Sequence, residues 1–446
     1  MSLSNLLPEL LFEILTRLPP KDLLRSLCVS KSWNATIRSR RFIKAHLQRS
    51  AATNSDRALL VGSYPSDFFS VSFDDSEAFG ECVEIAPPLK CPEPAVEVDP
   101  FDPRLPDFIS ARWIKCPAAY TEIIGRSVHG LVCIRKGGKG EDGDIAFWNP
   151  SIQKFKMIPP TTFEADLNIM TKLGSPCYAF GYDSINDDYK LVGFVEFRNK
   201  EPLFLTYSVQ IYSLKSNSWK RIQNINIPWW SYYVFDLHNI VYVNGALCWL
   251  MDDGSDIYTI VTLDLATEEC GAFPAPVDKP YLFLEVLGDC LYICVRHGRT
   301  RHDGWIMKEF GVAESWTLIY SINEEDSGSL CRKTFHYKPL VFSKNSGMVL
   351  FVDDYYMLFW IDIEEDTVKE VDIHGFPPGV VMVENYSISH PVTVTICVGS
   401  LCLLDGDDVL AARHQQGPSY LEEAESSKQS EESLDLALEA AEDDQN

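Results

Sequence analysis

Gly138-Lys139-Gly140-Glu141-Asp142-Gly143 has the G-x-G-x-x-G spacing of a loop that cradles phosphate. Such a loop needs a helix N-terminus directly after it, because the unpaired N–H groups and the helix dipole hold the anion. Here Ile145-Ala146-Phe147-Trp148 follows, with the composition of a strand, and Glu141, Asp142 and Asp144 would repel phosphate. The stretch reads as a hairpin tip. Asp183, Asp187 and Asp188 offer three carboxylates to a hard cation, but the Gly at the sixth place and Glu at the twelfth that complete a calcium loop are missing. A turn between two strands accounts for them. His297 and His302 share the basic loop 296–304, yet no carboxylate or thiol spacing completes a ligand set. The 13 cysteines contain no C-x-x-C pair, so zinc is unsupported. A Ser/His/Asp set is defined by geometry, and nothing in the chain order selects one. No catalytic residue, metal site or cofactor is assigned.

Residues suited to binding are better represented. Trp229, Trp230, Tyr232 and Tyr233 stand together after Pro228. Aromatic side chains on loops anchor protein partners, and they also fill β-cores. Arg299 and Arg301 lie in the basic loop 296–304. These six residues, with the proline-rich acidic segment 87–107, are the candidate contacts for a protein client.

The first element that must position anything is N-terminal. Leu7, Leu10, Leu11, Ile14, Leu15 and Leu18 recur at helical spacing and form a wide apolar stripe. Pro8 suits the first helical turn, and Pro19-Pro20 ends one helix and begins another. Leu23, Leu24 and Leu27 give the second helix its apolar face. Ser30 is placed to cap a third helix carrying Trp33 and Ile37. Three such short helices cannot bury all this surface among themselves. Part of it must meet another surface, either the rest of the chain or a second protein.

Leu7-Pro8-Glu9, Ile14-Leu15, Leu18 to Arg25 and Cys28-Val29-Ser30-Lys31-Ser32-Trp33 resemble, in order and spacing, the F-box of plant F-box proteins. The resemblance implies binding to a Skp-type adaptor and, through it, to the cullin of a RING ubiquitin ligase. It turns Leu7, Pro8, Leu11, Ile14, Leu18, Pro19 and Leu23 toward the adaptor. Trp33 takes a mixed core and interface role.

Charge is unevenly spread along the 446 residues, whose net charge is -25. Residues 1–50 hold nine Lys/Arg against three Asp/Glu, whereas residues 421–446 hold ten acids and one lysine. An acidic body argues against nucleic-acid binding, which needs cationic surface. It leans toward a basic client. Residues 1–18 lack the basic start of a secretory signal and contain Glu9 and Glu13. No apolar run approaches the roughly 18–20 residues of a membrane span. A cytoplasmic or nuclear protein with no membrane partner is expected. Cys133, Cys248, Cys290, Cys294, Cys397 and Cys402 then read as small buried hydrophobes.

Beyond the helices, alternating strand patterns recur five times between 123 and 373. Each unit opens on small residues before an apolar strand, as in His129-Gly130 and Asn244-Gly245, and continues through a polar turn such as 213–217 or 264–269. Units that cannot bury their own faces predict a mainly β fold, a β-propeller, after the small all-α module. The strands at 57–73 and 380–404 are placed to combine into a sixth blade and close the ring, which removes exposed sheet edges. Six blades is the expectation, with five or seven the neighbouring solutions. The expected domains are the helical module 1–45, a linker 46–56, the propeller 57–410 and an acidic, disordered tail 411–446.

Ala179-Phe180-Gly181-Tyr182-Asp183 and Asn186-Asp187-Asp188-Tyr189-Lys190-Leu191-Val192, with Phe147-Trp148-Asn149-Pro150 and Ser218-Trp219, resemble the signature of plant F-box-associated interaction domains. Pollen S-locus F-box proteins and regulators of immune-receptor levels share this architecture. The resemblance implies a non-catalytic substrate-recognition subunit of an SCF-type ubiquitin ligase, with a basic ribonuclease or an immune receptor as the kind of client. A propeller enzyme, a carbohydrate-binding protein and a non-degradative F-box scaffold are the alternatives.

Overall fold

The computed structural model describes residues 7–53, 56–63, 67–73, 78–89, 119–138, 143–163, 170–199, 205–222, 240–251, 257–278, 281–298, 301–323, 337–343, 347–353, 358–363, 365, 367–371, 373, 382–383, 386–387, 393–403 and 405–408. Four helices open the chain: α1 (Pro8–Leu15), α2 (Pro20–Ser26), α3 (Lys31–Arg38) and α4 (Arg40–Thr53). Pro8 and Pro20 each occupy a first helical turn. Ser30 caps α3 as expected, its hydroxyl accepting from the Trp33 amide at 3.1 Å. Helix α4 continues through most of the stretch expected as a linker at 46–56. It buries Phe42, His46 and Ser50, four residues apart, on one face.

Six sheets follow. Blade II holds Ala119–Val128, Leu131–Gly138, Ile145–Asn149 and Lys154–Ile158. Blade III spans Met170–Asp183 to Ser218–Arg221, blade IV Val241–Val243 to Cys270–Asp278, blade V Tyr281–Leu287 to Trp316–Asn323, and blade VI Tyr337–Phe342 to Val368–Val371. Blade I is composite. Its strand Thr393–Val398 comes from near the end of the chain and pairs antiparallel with Arg57–Ser63, with Leu59 opposite Ile396. Asp67–Phe73 and Phe79–Ile85 complete it. The expected closure between 57–73 and 380–404 therefore forms, and the ring has six blades.

The ring is visible in its packing. The first strand of each sheet touches the first strand of the next, from Thr393–Val398 through all six blades and back. One apolar cluster fills each gap between neighbouring blades. Strand alternation makes this possible: Val132 and Ile134 face blade I, whereas Leu131 and Cys133 face blade III. Trp148 and Trp249 are fully buried in these gaps.

Turn chemistry explains the repeat seen in the sequence. The hairpins His129-Gly130 and Asn244-Gly245 each place two consecutive residues at positive φ, as a type I′ turn requires. Other hairpins use a side-chain cap instead. Asp183 Oδ1 accepts from the Ile185 and Asn186 amides, and Asp264 Oδ1 from those of Ala266 and Thr267.

Candidate docking surfaces

Helix α1 is apolar around more than half its circumference, so it cannot hide all of that surface. Its inner row, Leu11, Phe12 and Leu15, packs with Leu18, Leu23, Ile37 and Phe42, and Phe12 meets Phe42 edge-on at 5.2 Å. Its outer row stays in water: Leu7, Leu10 and Ile14 are 63, 52 and 48% exposed. These three residues lie on one helical face at i, i+3 and i+7. Covering each would contribute about 1.5–3 kcal/mol. Val29, after α2, is 58% exposed.

Of the residues assigned to adaptor docking, Leu7, Pro8, Ile14 and Pro19 are on the surface. Leu11, Leu18 and Trp33 are half-buried against the helical core. Leu23 is fully buried and offers no surface to a partner, which corrects its assignment. It points inward because the core of the helices closes around it, with Leu15, Ile37, Phe42 and Leu401 in the same cluster. Leu10 and Val29 were not singled out. Leu10 was legible as part of the stripe, but spacing alone does not say which row faces out.

The hairpin 183–188 of blade III is the second constellation, and its three acids are all engaged. Asp183 accepts from two amides of its own turn, from Asn186 Nδ2 at 2.8 Å and from Lys190 Nζ at 2.9 Å. Burial works to raise its pKa, but these donors hold it below the ordinary value. Lys190 also donates to the Leu265 carbonyl in blade IV. Asp188 caps the next turn, accepting from Ser213 Oγ at 2.5 Å and the Lys215 amide at 2.9 Å. Asp187 pairs with Arg40 and with Lys44, the latter at 2.8 Å. Turn building and ion pairing, not cation binding, account for the three carboxylates.

The basic loop of blade V is likewise committed. Arg301 grips the buried Asp303 through both Nε and Nη2, at 2.9 and 2.8 Å. His297 Nε2 lies 2.8 Å from Asp303 Oδ2, and Ser321 Oγ donates to Oδ1 at 2.7 Å. Serine and histidine both engage the carboxylate here instead of each other, which is not the geometry of a nucleophilic triad. Burial would raise the pKa of Asp303, but Arg301 and Ser321 outweigh it and keep it low. At the ring's centre, Arg126 of blade II reaches across to the carbonyls of Val286 in blade V and Leu340 in blade VI. Among the described residues no cluster of three or more His, Cys, Asp or Glu is arranged to hold a metal. No described helix is long and apolar enough to cross a membrane.

Trp229, Trp230, Tyr232, Tyr233 and Arg299 lie outside the described residues, as do most of 87–107 and the tail 411–446. The flanks of the G-x-G-x-x-G stretch are described. Leu131–Gly138 and Ile145–Asn149 pair antiparallel, so a strand and not a helix follows the glycines. Cys133, Cys248, Cys294 and Cys397 are buried strand residues, and Cys402 is buried beyond the last inner strand.

The described residues thus form a helical module with an exposed apolar row, set on a closed six-bladed propeller. Comparison with known proteins agrees. Residues 3–45 match the F-box domain, and residues 126–390, more than half the chain, match the F-box associated beta propeller domain. The chain belongs to the family of F-box proteins that carry this propeller. It is 28% identical to F-box protein CPR1 of Arabidopsis thaliana over 389 residues, which cover 83% of this chain and 84% of that one. It is 29% identical to the F-box/kelch-repeat protein At3g23880 of the same plant, over 71% of this chain and 79% of the other. Among solved structures, an uncharacterized protein, lmo1340, from Listeria monocytogenes is similar with a TM-score of 0.33 at 9% identity, over 72% of this chain and 84% of that one. That likeness is too slight to bear on function.

Proposed function

We propose that this chain is the substrate-recognition subunit of an SCF-type ubiquitin ligase. Its F-box docks a Skp-type adaptor bound to cullin, and its propeller holds a client protein for ubiquitination. The observation that carries the reading is the row Leu7, Leu10 and Ile14, three exposed apolar residues on a single helical face, within the segment that matches the F-box. The chain performs no bond chemistry in this role. It raises the effective concentration of client lysines near the charged conjugating enzyme. The acidic body favours a basic client, with a cytoplasmic or nuclear location.

The test is co-purification from plant cells with the proteasome and neddylation blocked. Full-length protein should bring down adaptor and cullin, and the Ile14→Asp variant should bring down neither while retaining client proteins. Equal recovery of adaptor by both would remove the assigned face.

A further inference from the structure

Helix α4 beyond residue 45 and the segment 393–408 lie outside both family matches. They are where the two domains meet. Strand Thr393–Val398 closes the ring. Directly after it, the Gly399 amide donates to the Asp56 carbonyl at 2.8 Å. A Cβ on Gly399 would lie 2.7 Å from Asp56 Cβ and 3.1 Å from Pro20 Cγ, so the strap passes hard against the helical module. Leu401 is fully buried, and its neighbours are Leu15, Leu23, Ile37 and Phe42, the core of the helices. Cys402 packs under Ile43 and Leu47 of α4 and lies 3.2 Å from Tyr189 Oη. Asp405 pairs with Arg38.

The propeller holds this strap from below. Asn149, fully buried in blade II, donates from Nδ2 to the carbonyls of Ser400 and Cys402 at 3.0 and 2.8 Å. Asp187 meets α4 from the side through Arg40 and Lys44. One segment of chain is thus the closing strand of the ring and the floor of the helical core. We infer that ring closure and seating of the F-box are a single cooperative event, with residues 398–403 as the coupling element. An opened ring loses its F-box seat, and a loosened F-box strains the ring's closing strand. The consequence for client transfer, a fixed path from client to ligase with no swinging linker, rests on the adaptor reading. The coupling itself does not, and no partner is needed to test it.

Native-state hydrogen exchange of the full-length chain, read by mass spectrometry, reports each element separately. Leu401→Ala removes the shared side chain. It should speed exchange at least about tenfold both in α4 and in Thr393–Val398, leaving Ala246–Met251 of blade IV unchanged. Coupling is reciprocal. Val394→Ala, inside the closing strand, should therefore speed exchange in α4. Asp187→Asn, which keeps a residue tolerant of positive φ in the turn, should speed α4 by about threefold, since Arg40 and Lys44 are half in solvent. Acceleration confined to the element that carries the substitution would overturn the coupling. So would unchanged exchange in α4 for both Val394→Ala and Asp187→Asn, whatever the state of adaptor binding.

Discussion

The helical module and the propeller differ in how their exposed apolar residues are arranged. The propeller turns its largest side chains into the gaps between blades, where Trp148, Trp249 and Phe351 are fully buried. The helical module leaves Leu7, Leu10 and Ile14 in water as one row, whereas the exposed Val83, Ile185, Val312 and Leu318 of the propeller are spread over blades I, III and V. The difference follows from size and topology. A closed ring gives the inner strands of each blade a neighbour on both faces, whereas four short helices have more apolar surface than inner volume. The outward apolar residues of the small domain are therefore available to a partner. Any client surface on the propeller must come from loops and strand ends, whose polar groups in the described part serve largely to build turns.

That contrast can be broken in measurable ways. The largest effect expected is in the ring. Trp148→Ala should cost about 3–5 kcal/mol in denaturant unfolding, because it empties the gap between blades I and II. Leu23→Ala should cost about 2–5 kcal/mol, although the residue was first assigned to a binding face. A loss of adaptor binding with unchanged stability would instead place Leu23 at the interface.

A smaller effect should appear with pH. His46 is buried with Nε2 2.9 Å from the Leu18 carbonyl, and its Nδ1 has no hydrogen-bond partner. Burial pushes its pKa below the ordinary 6.5, only partly offset by the Leu18 carbonyl and Asp56. Burial lowers His129 in the same direction. Both are held neutral in the folded chain, so the unfolded chain binds more protons below about pH 6.5. Stability is complete above that value and should fall as pH drops toward 5.5, seen as a lower thermal midpoint. The double variant His46→Gln, His129→Gln should flatten that slope; an unchanged slope would trace it to other groups. The smallest effect is expected at Arg301, which is half in solvent. Arg301→Lys, which keeps a cation beside Asp303, should leave the thermal midpoint nearly unchanged. A clear loss of client recovery in that variant would make the blade V loop a client contact and sharpen the comparison further.

Much of this was legible in the sequence because local chemistry and global fold agree. Ser30 capped the helix it was placed to cap, and the glycine and asparagine pairs before apolar strands became type I′ hairpins. The strands at 57–73 and beyond 380 combined because a propeller must satisfy both of its edges. What was not legible depended on contacts far apart in the chain. A six-residue apolar stripe on α1 cannot say that Leu11 and Leu15 face in while Leu10 and Ile14 face out, since that choice is made by α2, α3 and the strap. Asp187 reads as one of three turn acids, and only the fold brings Arg40 and Lys44 to it. Leu401 reads as an ordinary hydrophobe after a strand, yet it completes the core of helices more than 350 residues earlier.

The most direct measurement is the affinity of a purified Skp-type adaptor for the full-length chain, the Ile14→Asp variant and the Leu318→Asp variant. Ile14 and Leu318 are similarly exposed, at 48 and 42%, the first on the F-box and the second on the outer strand of blade V. Ile14→Asp should weaken binding by about 100-fold, the scale of a lost interface anchor, with an unchanged thermal midpoint. Leu318→Asp should bind as the unaltered chain does. Equal affinities for all three would contradict the claim that the outward row of α1 is the docking face.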